Sequence, residues 1–146
     1  SAAKEGGACR GAQTAAWGLA PDIGVAVDVT LGAMPSWDPD EVFPLDKVVL
    51  SEGPNIHPRL HKHFMDLASK HRIDAMTAIA PGATWTDADP LQISRAGVPT
   101  VLLELPLKYM HTTVETGSME AIEETARLLV AFITSLDDKW EDLLCY

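Results

Sequence analysis

Apolar residues along the chain fall into two patterns, short continuous runs and sets with helical spacing. Four runs rich in Val, Leu and Ile predict buried strands, at residues 23–29, 47–50, 74–80 and 100–107. Four stretches with apolar positions on one side predict helices, at residues 11–19, 58–71, 91–96 and 119–133. Strands that alternate with helices predict an α/β fold, in which a mostly parallel sheet is covered by helices.

The boundaries of these elements carry local signals. Pro58 suits the first turn of a helix, and Gly97 suits the end of the short helix at 91–96. Ser118 is the predicted N-cap of the last helix, and Glu120 is favourable in its first turn. One apolar set is expected to pack this helix on the sheet: Met119, Ile122, Ala126, Leu129, Val130 and Ile133. Residues 51–55 are predicted to form a turn and residues 32–46 a long loop.

Composition narrows the possible functions. A chain of 146 residues suits one domain, and its net charge of -10 argues against nucleic acid as a partner. Glu104 and Lys108 interrupt the most apolar run, so no membrane span is expected. Cys9 and Cys145 show no spacing pattern, which favours a reducing compartment and a cytoplasmic location.

Candidate chemistry centres on the stretch 81–111, where a loop with two carboxylates leads into a buried strand that is followed by His111. Asp28 lies near the end of another predicted strand, where an ionised carboxylate needs a cation or several donors. Asp28 and His111 are therefore metal-ligand candidates, although a capping aspartate and a hydrogen-bonded histidine fit the same positions. Asp87 and Asp89 either bind a cation, orient a histidine that binds one, or form an Asx turn.

Four further histidines favour a structural explanation. His57 and His61 have the spacing that places two ligands on one helix face, but they lie among basic residues with His63 and His71. This composition is typical of a solvated basic face.

Several short motifs occur in one order: Arg10-Gly11-Ala12, Val25-Ala26-Val27-Asp28-Val29-Thr30, Gly53-Pro54-Asn55-Ile56, Thr86-Asp87-Ala88, Ser94-Arg95-Ala96-Gly97-Val98-Pro99-Thr100 and Tyr109-Met110-His111 with Glu115. From about residue 4 to residue 133, this order resembles the dinuclear-metal aminopeptidases. That family includes glutamyl, deblocking and tetrahedral aminopeptidases, and its members are often labelled endoglucanase or cellulase.

The resemblance implies roles for individual residues. Asp28 matches a ligand of one metal and His111 a ligand of the other, with zinc or cobalt as the expected cofactors. Asp87 matches an aspartate close to the site, with a supporting or substrate-facing role. Glu5 matches the general base that takes a proton from the metal-activated water. Gly6 stands where the family has a glutamate ligand, and Trp85 stands where it usually has glycine.

The resemblance also sets expectations for the whole protein. Residues 1–146 correspond to the C-terminal part of the catalytic domain, so the N-terminal half and an inserted assembly domain are expected to be absent. The complete enzyme is expected to hydrolyse N-terminal peptide bonds and to form homo-oligomers. Since other ligands come from the absent half, this chain alone is expected to bind metal weakly and to be inactive. The alternatives are a non-catalytic descendant or assembly subunit and, third, a glycosidase.

Overall fold

A computed structural model describes residues 4–5, 8–35 and 37–144. The strands are β1 (Lys4–Glu5), β2 (Ala8–Cys9), β3 (Gly24–Leu31), β4 (Val48–Glu52), β5 (Ala75–Ile79) and β6 (Thr100–Leu107). The helices are α1 (Arg10–Leu19), α2 (Pro58–His71), α3 (Ala88–Gln92) and α4 (Met119–Ser135). Two short 3-10 turns cover Pro39–Glu41 and Trp140–Leu143.

The central sheet has the strand order β3-β6-β4-β5. β3 pairs with β6 in parallel, and β4 pairs with β5 in parallel, while β4 and β6 run antiparallel. The prediction of a mostly parallel sheet covered by helices is confirmed. The register aligns Gly24 with Thr100 and Leu31 with Leu107, so β3 and β6 end at the same edge of the sheet.

One face of the sheet packs on α2 and α4. Val48, Leu50, Val101 and Leu103 point to this face and form a core cluster with residues of both helices. Across that core, the rings of Phe64 and Phe132 stack with their centroids 4.4 Å apart. Burying each such side chain stabilises the fold by about 1.5–3 kcal/mol. A smaller cluster on the other face joins Ala26 and Leu102 to Ile56, Ala88 and Leu91, so α3 covers only part of that face.

The predicted packing face of α4 is wrong. The helix contacts the core through Ala121, Thr125, Leu128, Ala131 and Phe132. The apolar set expected there is largely exposed, and Val130 and Ile133 expose 60% and 64% of their surface. The helix carries apolar residues on two sides, and spacing alone does not decide which side meets the sheet. The buried side of α4 instead places Leu128 and Phe132 in the core cluster with α2 and the sheet.

Two larger differences from the prediction concern β4 and the short helix before β6. Ser51 and Glu52 continue β4 instead of forming a turn, because they pair with Ala78 and Ile79 of β5. The short helix expected at 91–96 is instead α3, which ends at Gln92. Gly97 lies beyond it, at a φ of 101° that favours glycine, and its N–H donates to the carbonyl of Ser94. Within the part of the chain that the structure describes, no helix is both long enough and apolar enough to cross a bilayer.

Candidate active site

Asp28 and Glu104 are direct neighbours on parallel strands. The register of β3 and β6 places Asp28 opposite Glu104, so both side chains point to the face that α3 leaves partly open. Asp28 is half-buried, and its Oδ1 accepts a hydrogen bond of 2.8 Å from the backbone N–H of Val29. Two carboxylates thus share one face without an intervening strand.

Glu104 is held by a serine from a third strand. The Ser51 hydroxyl donates to Oε2 of Glu104 at 2.6 Å, and both side chains are buried. Burial raises the pKa of the Glu104 carboxyl; the Ser51 hydrogen bond acts in the opposite direction, and the charge of Asp28 raises the pKa further. Asp28, Glu104 and Ser51 therefore lie on one face of three adjacent strands, β3, β6 and β4.

A groove of about 600 Å³ runs along this open face, and we call it the acidic groove. Its polar lining comes from the sheet, from the loop after β5 and from the 3-10 turn, and comprises Thr30, Asp40, Glu41, Ser51, Thr77, Thr84 and Glu104. The described lining contains carboxylates but no Lys, Arg or His. The groove therefore favours a ligand with positive charge.

His111 lies in the tight loop that follows β6. A bridge between Lys108 and Thr116 closes the loop, and the backbone N–H of His111 donates to Oε1 of Glu115 at 2.6 Å. Tyr109 and His111 both have positive φ, at 56° and 66°. Such backbone is costly for residues other than glycine and is frequent at functional sites. The exposed imidazole makes no hydrogen bond with a described residue.

Asp28 and His111 lie toward the same edge of the sheet. The N–H of Gly32 donates to the carbonyl of Leu107 at 2.8 Å, which joins the ends of the strands that carry them. However, across residues 4–5, 8–35 and 37–144, no three His, Cys, Asp or Glu side chains are grouped so that they could hold a metal ion. The described residues therefore do not form a complete metal site by themselves, since even open catalytic zinc sites use three protein ligands.

The carboxylates of the loop before α3 have different surroundings. Asp89 accepts hydrogen bonds from the N–H and hydroxyl of Thr84, from the N–H of Trp85 and from the Asn55 amide, at 2.7–3.0 Å. Burial acts to raise the pKa of Asp89, but the hydrogen bonds together outweigh it, so the pKa is lowered. Asp87 is half-buried at the N-terminus of α3, and its carboxylate has no hydrogen-bond partner among the described residues. Asp89 therefore holds the loop together, whereas Asp87 is available to a ligand.

Trp85 adopts a backbone conformation that favours glycine. Its φ is 58°, and its side chain is 63% exposed. Glycine would adopt this backbone conformation at a lower cost than tryptophan. The indole points largely to solvent, so it does not fill the core.

The predicted catalytic Glu5 is only partly described. Its backbone pairs with Ala8 in the β1–β2 pair, but its side chain and the whole of Gly6 lie outside the described residues. The assignment of Glu5 as general base stays a prediction.

The expected solvated histidine face is wrong for three of the four residues. The Nδ1 of His57 accepts from the N–H of Leu60 and caps α2, and His61 is buried with its Nε2 3.3 Å from the Thr77 hydroxyl. His63 contacts Ser135 and the edge of the Phe132 ring, whereas His71 is exposed. The side chains of His61 and His63 thus connect α2 to β5 and α4, whereas the His57 side chain caps its own helix.

Sequence reasoning missed Glu104 and Ser51 as site residues. In the sequence, Glu104 interrupts an apolar run and Ser51 falls within the predicted turn, so neither residue stands out. A single carboxylate inside a strand that is otherwise buried was the available signal, since its burial requires compensation. The argument that singled out Asp28 applies equally to Glu104.

Comparisons with known protein families and with curated proteins both identify aminopeptidases. Residues 2–128 match the family described as M42 glutamyl aminopeptidase. A lysyl aminopeptidase of Pyrococcus furiosus is 36% identical over 129 residues, which cover 87% of this chain and 37% of that protein.

Solved structures agree with this assignment. The TET aminopeptidase of a marine-sediment Thaumarchaeota archaeon is similar with a TM-score of 0.81 and 26% identity, over 89% of this chain and 38% of that one. A Thermotoga maritima protein named endoglucanase has a TM-score of 0.61 and 17% identity, over 84% of this chain and 37% of that one, which shows a shared fold alone. The chain thus spans well under half the length of these relatives.

Proposed function

Because the chain belongs to the M42 glutamyl aminopeptidase family, we propose that it contributes part of the active site of a metal-dependent aminopeptidase. The observation that carries this proposal is the family match over residues 2–128. The common edge of β3 and β6 supports it, because the candidate ligands Asp28 and His111 come from these two strands and the loop that follows. The peptide substrate is the partner that this activity requires.

Each candidate residue has a distinct role in the proposal. Asp28 and His111 each hold one divalent cation, zinc or cobalt, together with groups that this chain does not supply. When bound, the two cations polarise the peptide carbonyl and make water a stronger acid. Glu5 accepts the proton from that water and donates it to the leaving amine. Asp87 faces the substrate, since its carboxylate is not used by the described part of the fold.

The chain alone is proposed to bind metal weakly and to lack peptidase activity. The described residues do not group three potential ligands, and Gly6 cannot coordinate through a side chain. Calorimetric titration with Zn²⁺ and Co²⁺, beside an assay with a fluorogenic aminoacyl substrate, measures both properties. Tight stoichiometric binding with turnover would show that the missing-ligand argument is wrong.

A chimera tests the proposed activity itself. In it, this chain replaces the matching part of the Pyrococcus furiosus relative, with Gly6→Glu added to restore a ligand at that position. We expect hydrolysis of aminoacyl substrates that requires added metal. Asp28→Asn and His111→Ala should each lower kcat/KM by more than about a hundredfold, the upper end of what losing an outer partner of a metal ligand costs.

The matched control for Asp28→Asn is Asp22→Asn, which changes an exposed aspartate just before the same strand. This control should retain activity. A chimera that folds and binds metal but hydrolyses no aminoacyl substrate would instead favour the non-catalytic or assembly role. Hydrolysis of cellulose without peptidase activity would favour the glycosidase alternative.

We propose that the complete protein is a homo-oligomer and that this chain tends to self-associate. Val130 and Ile133 expose apolar surface on α4 that the described fold does not cover. The double variant Val130→Lys/Ile133→Lys should lower the mass measured by light scattering, whereas exposed Glu123→Lys should not. A clean monomer for the unaltered chain would contradict this proposal.

A further inference from the structure

β5 forms one edge of the central sheet. It pairs with β4 on one side, and the strand order ends with β5. The opposite edge is β3, which is already bridged at its end, where the N–H of Phe43 donates to the Leu31 carbonyl at 2.9 Å. Of the two edges that the described residues form, β5 is therefore the one whose outer side carries no backbone bridge.

Alternate residues of β5 direct their backbone groups away from the sheet. The N–H of Val48 donates to the Asp74 carbonyl at 3.1 Å, and the N–H of Ala80 donates to the Glu52 carbonyl at 2.8 Å. In a parallel ladder with these bonds, the even-numbered positions of the strand bond to β4 and the odd-numbered positions point outward. The outward N–H and C=O groups belong to Ala75, Thr77 and Ile79. No described residue forms a hydrogen bond with these groups.

The side chains of β5 leave this edge open to another strand. The strand consists of Ala75, Met76, Thr77, Ala78 and Ile79, so it contains no charged residue and no proline. Ile79 exposes 73% of its surface and Met76 exposes 37%. Sheet edges in monomeric proteins are commonly protected by lysine, proline or a bulge, because unpaired backbone groups attract other strands. β5 has neither lysine nor proline to prevent such pairing.

The residue order makes β5 complementary to itself in the antiparallel direction. With Thr77 on a two-fold axis, Ile79 lies opposite Ala75 of a second copy, and Met76 lies opposite Ala78. Each large apolar side chain thus meets a small one. The first pair lies on the side of α2 and the second on the open face, so contacts form on both faces of the joined sheet. The outward backbone groups also fall opposite one another, as hydrogen-bonded pairs require.

The charges around β5 are compatible with this arrangement. Because the net charge is -10, two copies repel each other unless carboxylates are kept apart in their contact. Asp74, which precedes β5, already pairs with Lys47 at 2.6 Å. In the two-fold arrangement Asp74 lies opposite Ala80, so no carboxylate faces another one across the joined strands.

We propose that the free edge of β5 pairs antiparallel with β5 of a second copy, about a two-fold axis at Thr77, so that the two sheets become continuous. This inference deepens the proposed homo-oligomer and rests on that proposal only for the identity of the partner. Its surface differs from Val130 and Ile133 on α4. Two five-residue strands bury less area than a standard interface of about 1,200–2,000 Å², so the dimer is weak and forms at high protein concentration.

Mass and hydrogen exchange test the pairing. The variant Val130→Lys/Ile133→Lys removes the apolar surface of α4 and isolates the contribution of β5. Between about 10 µM and about 1 mM, sedimentation should show a monomer–dimer equilibrium, as expected for a small interface. Over the same range, amide exchange measured by NMR should become slower at Thr77 and Ile79, whose N–H groups point outward. If the double variant does not fold, the exchange of these two amides in the unaltered chain decides.

Two results would overturn the two-fold pairing. One is a monomer throughout this range, with exchange at Thr77 and Ile79 that does not depend on concentration. The other is a mass that keeps growing beyond the dimer, which would indicate that β5 pairs with a different edge, such as β3, in an open chain of copies.

The variants Ile79→Lys and Ile93→Lys decide whether β5 is responsible. Both isoleucines are exposed, at 73% and 66%, and both changes add the same positive charge. Ile79→Lys should dimerise at least about threefold more weakly than Ile93→Lys, because the axis repeats each lost cross-strand contact. Equal dimerisation by the two variants would overturn the proposal.

The two self-association surfaces fail in different ways. A dimer that persists in Val130→Lys/Ile133→Lys and is weakened by Ile79→Lys would refute the α4 surface and leave the β5 pairing. Association that is lost in the α4 double variant, with unchanged exchange at Thr77 and Ile79, would refute the β5 pairing and leave the α4 surface. The aminopeptidase proposal is tested separately by the activity of the chimera.

Discussion

Asp28 and Glu104 face the same side of the sheet from directly paired positions of β3 and β6. They are 76 positions apart in the numbering, yet the parallel register makes their carboxylates neighbours. Ser51, on the strand at the other side of β6, donates to Glu104 and compensates for part of its burial. One hydrogen bond between side chains of β4 and β6 therefore holds the Glu104 carboxylate on the open face of the sheet.

That hydrogen bond is expected to contribute to stability. Ser51→Ala leaves the buried Glu104 carboxylate without its donor, so the free energy of unfolding should fall by about 1–3 kcal/mol. Urea denaturation measures the change, with exposed Ser69→Ala on α2 as the control. In a Glu104→Gln background, Ser51→Ala should lower the free energy of unfolding by less, because residue 104 then carries no negative charge. Equal costs in both backgrounds would show that the two side chains are not coupled.

Asp89 and Asp87 form a matched pair for testing the loop before α3. Asp89→Asn weakens several hydrogen bonds and should lower the free energy of unfolding by roughly 1 kcal/mol. Asp87→Asn should leave the free energy of unfolding almost unchanged. Because the pKa of Asp89 is lowered in the fold, its stabilisation is present above the unfolded pKa of about 3.9. It is lost as the pH falls through the folded value.

Urea denaturation at pH 7 and at pH values below 4 checks this prediction. The difference in free energy of unfolding between the unaltered chain and Asp89→Asn should be smaller below pH 4 than at pH 7. A difference that stays constant with pH would mean that the ionised carboxylate is not the stabilising form.

His61 is expected to make stability fall in mild acid. Burial lowers the pKa of His61 below 6.5, against the raising effect of the Glu52 charge. The unfolded chain then takes up a proton at higher pH than the folded chain, so stability decreases as the pH falls below about 6.5. His61→Gln should reduce this dependence in thermal unfolding between pH 7.5 and 5.

Exposed His71→Gln is the control for His61 and should leave the pH dependence intact. His57 and His63 also have lowered pKa values through burial, so His61→Gln should remove only part of the effect. An unchanged profile in His61→Gln would contradict the prediction.

At position 85, replacement of tryptophan by glycine should give a more stable protein than replacement by alanine. Its φ of 58° is costly for a residue with a Cβ, so Trp85→Gly should be more stable than Trp85→Ala by about 1 kcal/mol. The opposite order is expected at Ala15, an exposed position inside α1, where Ala15→Gly should cost about 0.5–1 kcal/mol. Chemical denaturation compares the variants. A Trp85→Gly variant that is less stable than Trp85→Ala would show that the positive φ does not carry the expected cost.

Local sequence signals predicted the first and last residues of several elements correctly. The helix expected at 58–71 is α2, since Pro58 begins it and Arg72 ends it in the left-handed region. The strand expected at 100–107 is β6, a mostly apolar run between Pro99 and Lys108. Ser118 caps α4 through a hydrogen bond from the N–H of Glu120, as its residue type predicts. Each signal acts over a few residues, so the sequence suffices.

Features that depend on distant partners were harder to predict. The length of β4 depends on pairing with β5, and the buried side of α4 depends on which apolar stripe fits the sheet more closely. The acidic groove combines residues from β3, β4, β5, β6 and the 3-10 turn. No spacing in the sequence relates these residues, because folding alone makes them neighbours.

The amino-acid sequence by itself determined most of the helices and strands, the α/β class and, through the order of its motifs, the family. The tertiary structure decided that Glu104 lies beside Asp28 and that Ser51 donates to it. It also decided that Asp89 holds its loop while Asp87 stays free, and that a second apolar stripe of α4 is exposed. The physical reason is that helix and strand signals are local, whereas register, helix orientation and hydrogen-bond partners follow from how distant segments pack.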